Sequence, residues 1–131
     1  MKEVLLGIDE DEARGQALAE TVLDLFDEEI HVHLLHDFVE NTEGASVIQV
    51  GAVHRARDVF EEAGVEVSYH EGSGDPADSL IDMADEIDAD AICLAGRKRS
   101  PTGKLLFGSV TQKVILNTER PVLVCSADED L

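Results

Sequence analysis

Short apolar runs alternate along this chain with longer amphipathic stretches. The runs "EVLLGID" (3–9), "IHVHLLHDF" (30–38), "VEVSYHEG" (65–72), "DAICLAG" (90–96) and "RPVLVCS" (120–126) are rich in β-branched residues and bounded by turn formers. They predict five strands. Between the first two, Ala13, Ala17, Leu18, Val22, Leu25 and Phe26 recur at helical spacing and predict a helix with one apolar stripe. A second helix is read from Ile48, Ala52, Ala56, Val59, Phe60 and Ala63, with Gly64 as its stop. The third has the cleanest start: Asp75 as cap and Pro76 in the first helical position, followed by a stripe of Ala77, Leu80, Ile81, Ala84 and Ile87. The fourth runs from about 108 to 117, is expected to bury Val110, Val114 and Ile115, and halts before Pro121.

The resulting βαβαβαβαβ alternation has no internal repeat, linker or low-complexity segment, and residues 1–131 are expected to form one domain. Near-continuous apolar strands separated by helices require a mostly parallel sheet covered on both faces, hence a three-layer α/β/α sandwich with right-handed crossovers. Open sheets of this kind bind ligands outside the carboxyl ends of their strands, where strand order reverses. The loops after Asp9, His36 and Gly96 are therefore the places to look.

Composition sharpens this picture. With 29 Asp and Glu against 10 Lys and Arg, the formal net charge is −19. Such a surface repels itself unless salt screens it, so the balance suits either multimolar salt or an ordinary acidic cytosolic protein. Neither duplex DNA nor an anionic membrane is an expected partner, since both demand a basic footprint. The two cysteines, Cys93 and Cys125, lie inside apolar runs with no CxxC pair, and read as small buried hydrophobes in a reducing compartment. The first residues hold too short an apolar run for a signal peptide or a membrane span, and a cytoplasmic location is expected.

Chemistry concentrates in "AGRKRSPTGKLLFGSV", residues 95–110, between the fourth strand and the fourth helix. Arg97, Lys98, Arg99 and Lys104 are four of the ten cations, set beside Gly96, Gly103 and Gly108. Gly96 is expected to leave the strand and Gly108 to open the helix. Backbone amides at a helix N-terminus, with the positive end of its dipole, make a phosphate site, to which Ser109 adds a hydroxyl donor. Two other phosphate loops do not fit. Gly103-Lys104 is followed by Leu105 instead of Ser or Thr, which rules out a P-loop, and no GxGxxG follows the first strand.

The stretch resembles the universal stress protein family, UspA-like domains of this length and element order. Nucleotide-binding members carry a glycine, two residues, a second glycine, nine residues, then Gly-Ser or Gly-Thr opening the last helix, followed by a strand of the type "RPVLVV". Here Gly96, "GSVTQKVI" (108–115), "RPVLVCS" (120–126), "VLLGID" (4–9) and "LLH" (34–36) match, and the resemblance covers essentially the whole chain. It implies a Rossmann-like, adenine nucleotide alpha hydrolase-like sheet of strand order 3-2-1-4-5. It also implies ATP or a related nucleotide, with magnesium where ATP is bound, in a regulatory or stress-response module. Position by position the site falls on Asp9, Asp37, Gly96, Gly108, Ser109 and Val110, with Arg97, Lys98 and Arg99 supplying charge. A homodimer through the final strand, residues 121–126, is implied as well. The chain departs from the family pattern in three ways. Arg99 stands at the second glycine position, the interval from Gly96 to Gly108 is one residue short, and Asp37 replaces a residue that is usually apolar. The Arg99 side chain either blocks the tight turn or holds a phosphate bidentately.

Other constellations carry less. His31 and His33 share a strand face, but a metal would need a third ligand, and strand histidines are expected as packing or hydrogen-bonding groups, so no metal ligands are assigned. His54 and His70 show no ligand spacing. "DEDE" (9–12) is what a helix start carries. No nucleophile, acid or base can be assigned, so the alternatives to nucleotide binding are an interaction module of the same family and, lacking any named base, a slow hydrolase.

Overall fold

The computed structural model describes residues 1–26, 28–38, 50–98, 105–106 and 108–126. Its elements follow in the order β1 (Lys2–Gly7), α1 (Glu12–Leu25), β2 (Ile30–Phe38), α2 (Gly51–Glu62), β3 (Glu66–Ser73), α3 (Pro76–Ile87), β4 (Ala91–Lys98), β5 (Leu105–Leu106), α4 (Ser109–Asn117) and β6 (Val122–Ser126). The five expected strands form one parallel sheet, β3-β2-β1-β4-β6, which is the 3-2-1-4-5 order with β6 as the fifth strand. Strand order reverses between β1 and β4.

Period-two alternation sorts the core into two layers. Val4 and Leu6 of β1, with Val32 and Leu34 of β2, face α1 and α2, where they pack with Leu18, Val22, Val53 and Phe60. On the other face Leu5, Leu35, Ile92 and Leu94 meet Leu80 and Ala84 of α3 and Val114 of α4. Both cysteines are buried and free, and burial pushes the Cys93 thiol up to about 12, so it stays a neutral apolar group.

Several boundaries follow the local signals. Asp75 caps α3 by accepting from the N–H of Ala77 at 2.8 Å, with Pro76 in the first turn. Gly64 adopts φ 76°, the left-handed conformation that stops α2. Three readings are corrected. Ile115 was expected in the buried stripe of α4, yet it is 40% exposed, because the buried side of that helix runs through Thr111 and Val114 and leaves Ile115 on its flank. Leu25 was expected in the stripe of α1 and is 54% exposed, since the buried side of that helix runs through Gly15, Leu18, Ala19 and Val22. The third concerns β4, which does not end at Gly96. Arg97 and Lys98 continue it, paired antiparallel with Leu106 and Leu105 of β5. Ile48, read as the start of the second helix, lies outside the described residues, and α2 begins at Gly51.

Gly15 explains the rotation of α1. A Cβ there would sit 2.9 Å from the carbonyl oxygen of Ala52 and 3.3 Å from its Cβ, so the two helices touch backbone to backbone. Gly15→Ala sets helix propensity, which favours alanine by about 1 kcal/mol, against this collision. The collision is with main chain, which cannot swing aside, so the variant is expected to be less stable than the parent in chemical denaturation.

Candidate functional site

The reversal of strand order opens a cleft at the carboxyl edge of the sheet, with a volume of about 450 Å³. Gly7, Ile8 and Asp9 line it from the end of β1, Leu35, His36 and Asp37 from β2, and Leu94 and Ala95 from β4. Arg14 and Gly15 of α1, Pro76 and Leu80 of α3, and Gly108, Ser109, Val110 and Thr111 at the start of α4 complete the wall. The floor is tight: a Cβ on Gly7 would lie 2.7 Å from Leu94 Cδ2 and 3.1 Å from Leu80 Cδ1. The ends of these two leucine side chains pack directly over that glycine. His36, buried, donates from Nδ1 to the Ile8 carbonyl at 2.7 Å and so locks the end of β2 to the turn leaving β1.

The start of α4 gives the cleft its capacity for an anion. Gly108 is the N-cap, in extended conformation, and no side chain caps the helix. Gln112 N–H closes the first helical bond onto Gly108 C=O at 3.1 Å, which leaves the amides of Ser109, Val110 and Thr111 without helical partners beside the cleft. These donors and the dipole favour a phosphate or carboxylate. α1 and α3, by contrast, are closed by their own aspartates, Asp11 and Asp75.

Of the expected site residues, Asp9, Asp37, Gly108, Ser109 and Val110 converge on this cleft. Asp9 has structural work as well: it accepts from Asp11 N–H at 2.9 Å and from Arg14 Nε at 3.1 Å. Asp37 accepts from the Ser79 hydroxyl at 2.5 Å, while its Oδ1 is buried with no hydrogen-bond partner among the described residues. Gly96 is buried within β4, opposite Ser126 of β6, and is not among the lining residues. Arg97 and Lys98 stand on the antiparallel ribbon and not in a free loop, as noted for β4. Arg99 and Lys104 lie outside the described residues.

Of the lining residues that were not site candidates, Arg14 and Thr111 bring hydrogen-bond donors. Arg14 places a guanidinium at the cleft, and the only signal for it was its position one turn into a helix that follows Asp9. Thr111, 6% exposed, adds an amide and a hydroxyl where the pattern showed only a helix interior.

Comparison with known proteins agrees with this architecture. The model of the universal stress protein family matches residues 1–126. A universal stress protein of Mycolicibacterium smegmatis is 35% identical over 74 residues, which are 56% of this chain and 57% of that protein. The chain thus spans little more than half the length of that relative. Among solved structures, a universal stress protein from Archaeoglobus fulgidus superimposes with a TM-score of 0.70 at 29% identity, covering 95% of this chain and 98% of its own. Two others share the fold at lower identity. A universal stress protein in complex with cAMP has a TM-score of 0.73 at 20% identity, over 96% of this chain and 97% of its own. A family member from Arabidopsis thaliana with AMP bound has 0.71 at 16%, over 99% of this chain and 94% of its own.

α4 is tied to α3 by Lys113, whose ammonium donates to Asp75 Oδ2 at 2.8 Å and lies 3.2 Å from Asp78 Oδ1. The Lys113 hydrogen bond, helped by the amides of Ala77 and Asp78, holds the Asp75 carboxyl below its ordinary value. A depressed carboxyl stabilises the fold above its unfolded pKa, and that stabilisation is lost as pH falls through the folded one. Asp75→Asn keeps a capping side chain and deletes the charge. It is expected to melt at lower temperature than the parent near pH 7, with the difference closing below about pH 4 in a thermal series across pH.

Proposed function

The chain belongs to the universal stress protein family, and from that premise we propose that the cleft binds an adenine nucleotide, ATP or its monophosphate, in a regulatory or stress-response role. The uncapped N-terminus of α4, opening into a cleft between β1 and β4, carries the reading. Phosphate is held by the amides of Ser109, Val110 and Thr111 with the Ser109 hydroxyl, and Asp9 and Asp37 lie beside the nucleoside. Arg97 and Lys98, on the β4–β5 ribbon, add charge. Magnesium enters with ATP through Asp9. AMP and cAMP in the two relatives above give independent support to a nucleotide.

The same reading includes a homodimer. β6 is the sheet's edge, pairing only with β4 among the described strands, and residues 121–126 carry the apolar run Val122, Leu123, Val124. An apolar edge tends to be paired or covered. Leu116, 73% exposed, and Ile115, 40% exposed, are further apolar side chains on α4, the helix that leads into β6. The location is cytoplasmic, and the acidic shell suits high salt. If no nucleotide binds, this dimer surface makes the chain an interaction module instead.

Equilibrium binding of AMP and Mg-ATP in multimolar KCl tests the site. A Cβ on Gly108 meets nothing within 4 Å, so Gly108→Val fits the fold while projecting a side chain at the phosphate position. Saturable binding by the parent, weakened about tenfold or more in the variant, is expected, which corresponds to about 1.4 kcal/mol. No saturable binding by the folded parent overturns the nucleotide reading. Sedimentation in the same buffer tests the dimer: the parent is expected to sediment as a dimer and the Ile115→Asp, Leu116→Asp double variant as a monomer.

A further inference from the structure

The opposite half of the sheet holds a second cluster. Glu3 of β1 is in register with His31 of β2, His33 is in register with Ser68 of β3, and His70 follows two residues on. All five side chains belong to the sheet face covered by α3, at the amino-terminal side of the nucleotide cleft. His31 Nδ1 lies 2.9 Å from Glu3 Oε1, and His33 Nε2 lies 2.7 Å from the same oxygen. The three ligand atoms fall within 4.8 Å of one another, the third ligand that the strand pattern alone did not reveal.

We propose that Glu3, His31 and His33 form a zinc site, with water as the fourth ligand. The donor set, two imidazoles and one carboxylate, is that of open tetrahedral zinc sites. Magnesium and calcium prefer all-oxygen shells, so the site discriminates against the ions an acidic surface collects. Zinc at about 2.0–2.1 Å from each donor needs donor separations near 3.3 Å, about half an ångström wider than the 2.9 and 2.7 Å from Glu3 Oε1 to the two imidazole nitrogens. Glu3, whose side chain is 31% exposed, can withdraw by that much. Its partial exposure also gives the ion and its water a way in.

The outer contacts match a metal site. Once His33 Nε2 is ligated, its Nδ1–H donates to His70 Nε2, 2.8 Å away, and once His31 Nδ1 is ligated, its Nε2–H donates to the Ser68 hydroxyl at 2.6 Å. Each ring is thereby fixed in the tautomer and orientation ligation requires. His70 is kept as a neutral acceptor, because burial first, and then the nearby His33, lower its pKa. Glu3 remains a carboxylate, its pKa lowered chiefly by the His33 hydrogen bond. His33 and His70 stack with centroids 5.0 Å apart, which further restricts the pair.

Titration with Co(II), a spectroscopic stand-in for zinc, tests the site in the intact protein. One equivalent is expected to produce the intense visible bands of four-coordinate Co(II), displaced stoichiometrically by zinc. The His31→Gln, His33→Gln double variant is expected to lose the bands, and His70→Gln to weaken affinity about 10- to 100-fold. Glu61→Gln, Glu62→Gln, which thins acidic charge on α2 across the sheet, is expected to change nothing. A spectrum of hexaaqua type in the parent, or bands that survive in the double histidine variant, overturns the proposal and assigns the metal to the acidic surface. Long-range ¹H–¹⁵N spectra of the unmutated protein remove any dependence on the variants' folding: zinc must shift His31 Nδ1 and His33 Nε2, and unchanged ring nitrogens also overturn it.

Discussion

Burying a parallel sheet on both faces is the constraint from which the rest of this molecule follows. Parallel strands need crossovers, and the crossovers here are helices that cover one face with α1 and α2 and the other with α3 and α4. Central strands must then be apolar on both sides, as Val4, Leu5 and Leu6 are. All carboxyl ends meet at one edge, and the reversal between β1 and β4 leaves that edge open where helices on opposite faces diverge. The cleft is thus a by-product of topology before any residue specialises it. Gly7, His36 and the start of α4 give it a tight floor, a locked wall and a set of amide donors.

Much of this was legible because it is local or periodic. Apolar runs gave the parallel strands, Asp75 and Pro76 marked the start of α3, and the glycine-serine pair at 108–109 marked the start of α4. The same locality pointed to Gly108 and Ser109, while Asp9, Asp37 and Val110 at the cleft were implied by the resemblance to the family. What escaped depends on contacts between segments distant in sequence. Two residues, Leu105 and Leu106, prolong β4 through Arg97 and Lys98, and no pattern of length two announces a strand. The rotation of α1 rests on a main-chain contact between Gly15 and Ala52, which moved Leu25 outward and brought Arg14 to the cleft.

Register decides the histidines in the same way. His31 and His33 share a face by period two, but their third neighbour, Glu3, sits on another strand, 28 and 30 residues away in sequence. Only the alignment of Glu3 with His31 brings it there. Parallel pairing across a crossover helix cannot be read from spacing, because crossover length varies freely while register is set by the packed core. Functional clusters that cross strands are therefore the least visible part of such a sequence, and those confined to one loop and helix start the most visible.

Charge poses the remaining problem, since the anion site proposed above would sit in a protein of net charge −19. Among the described side chains, Arg14, Arg55, Arg57, Lys113 and Arg120 are all engaged with carboxylates. Exposed pairs of this sort add little stability, but they remove those cations from any long-range attraction. In strong salt the screening length falls to about 3 Å, so the repulsion from distant carboxylates fades together with any steering. Contacts at hydrogen-bond distance are then what remain. A row of main-chain amides at a helix start acts at that distance, carries no net charge for a neighbouring aspartate to neutralise, and needs no side-chain ordering. An acidic chain that binds an anion in salt is accordingly better served by main-chain amides such as those at the start of α4 than by a basic patch.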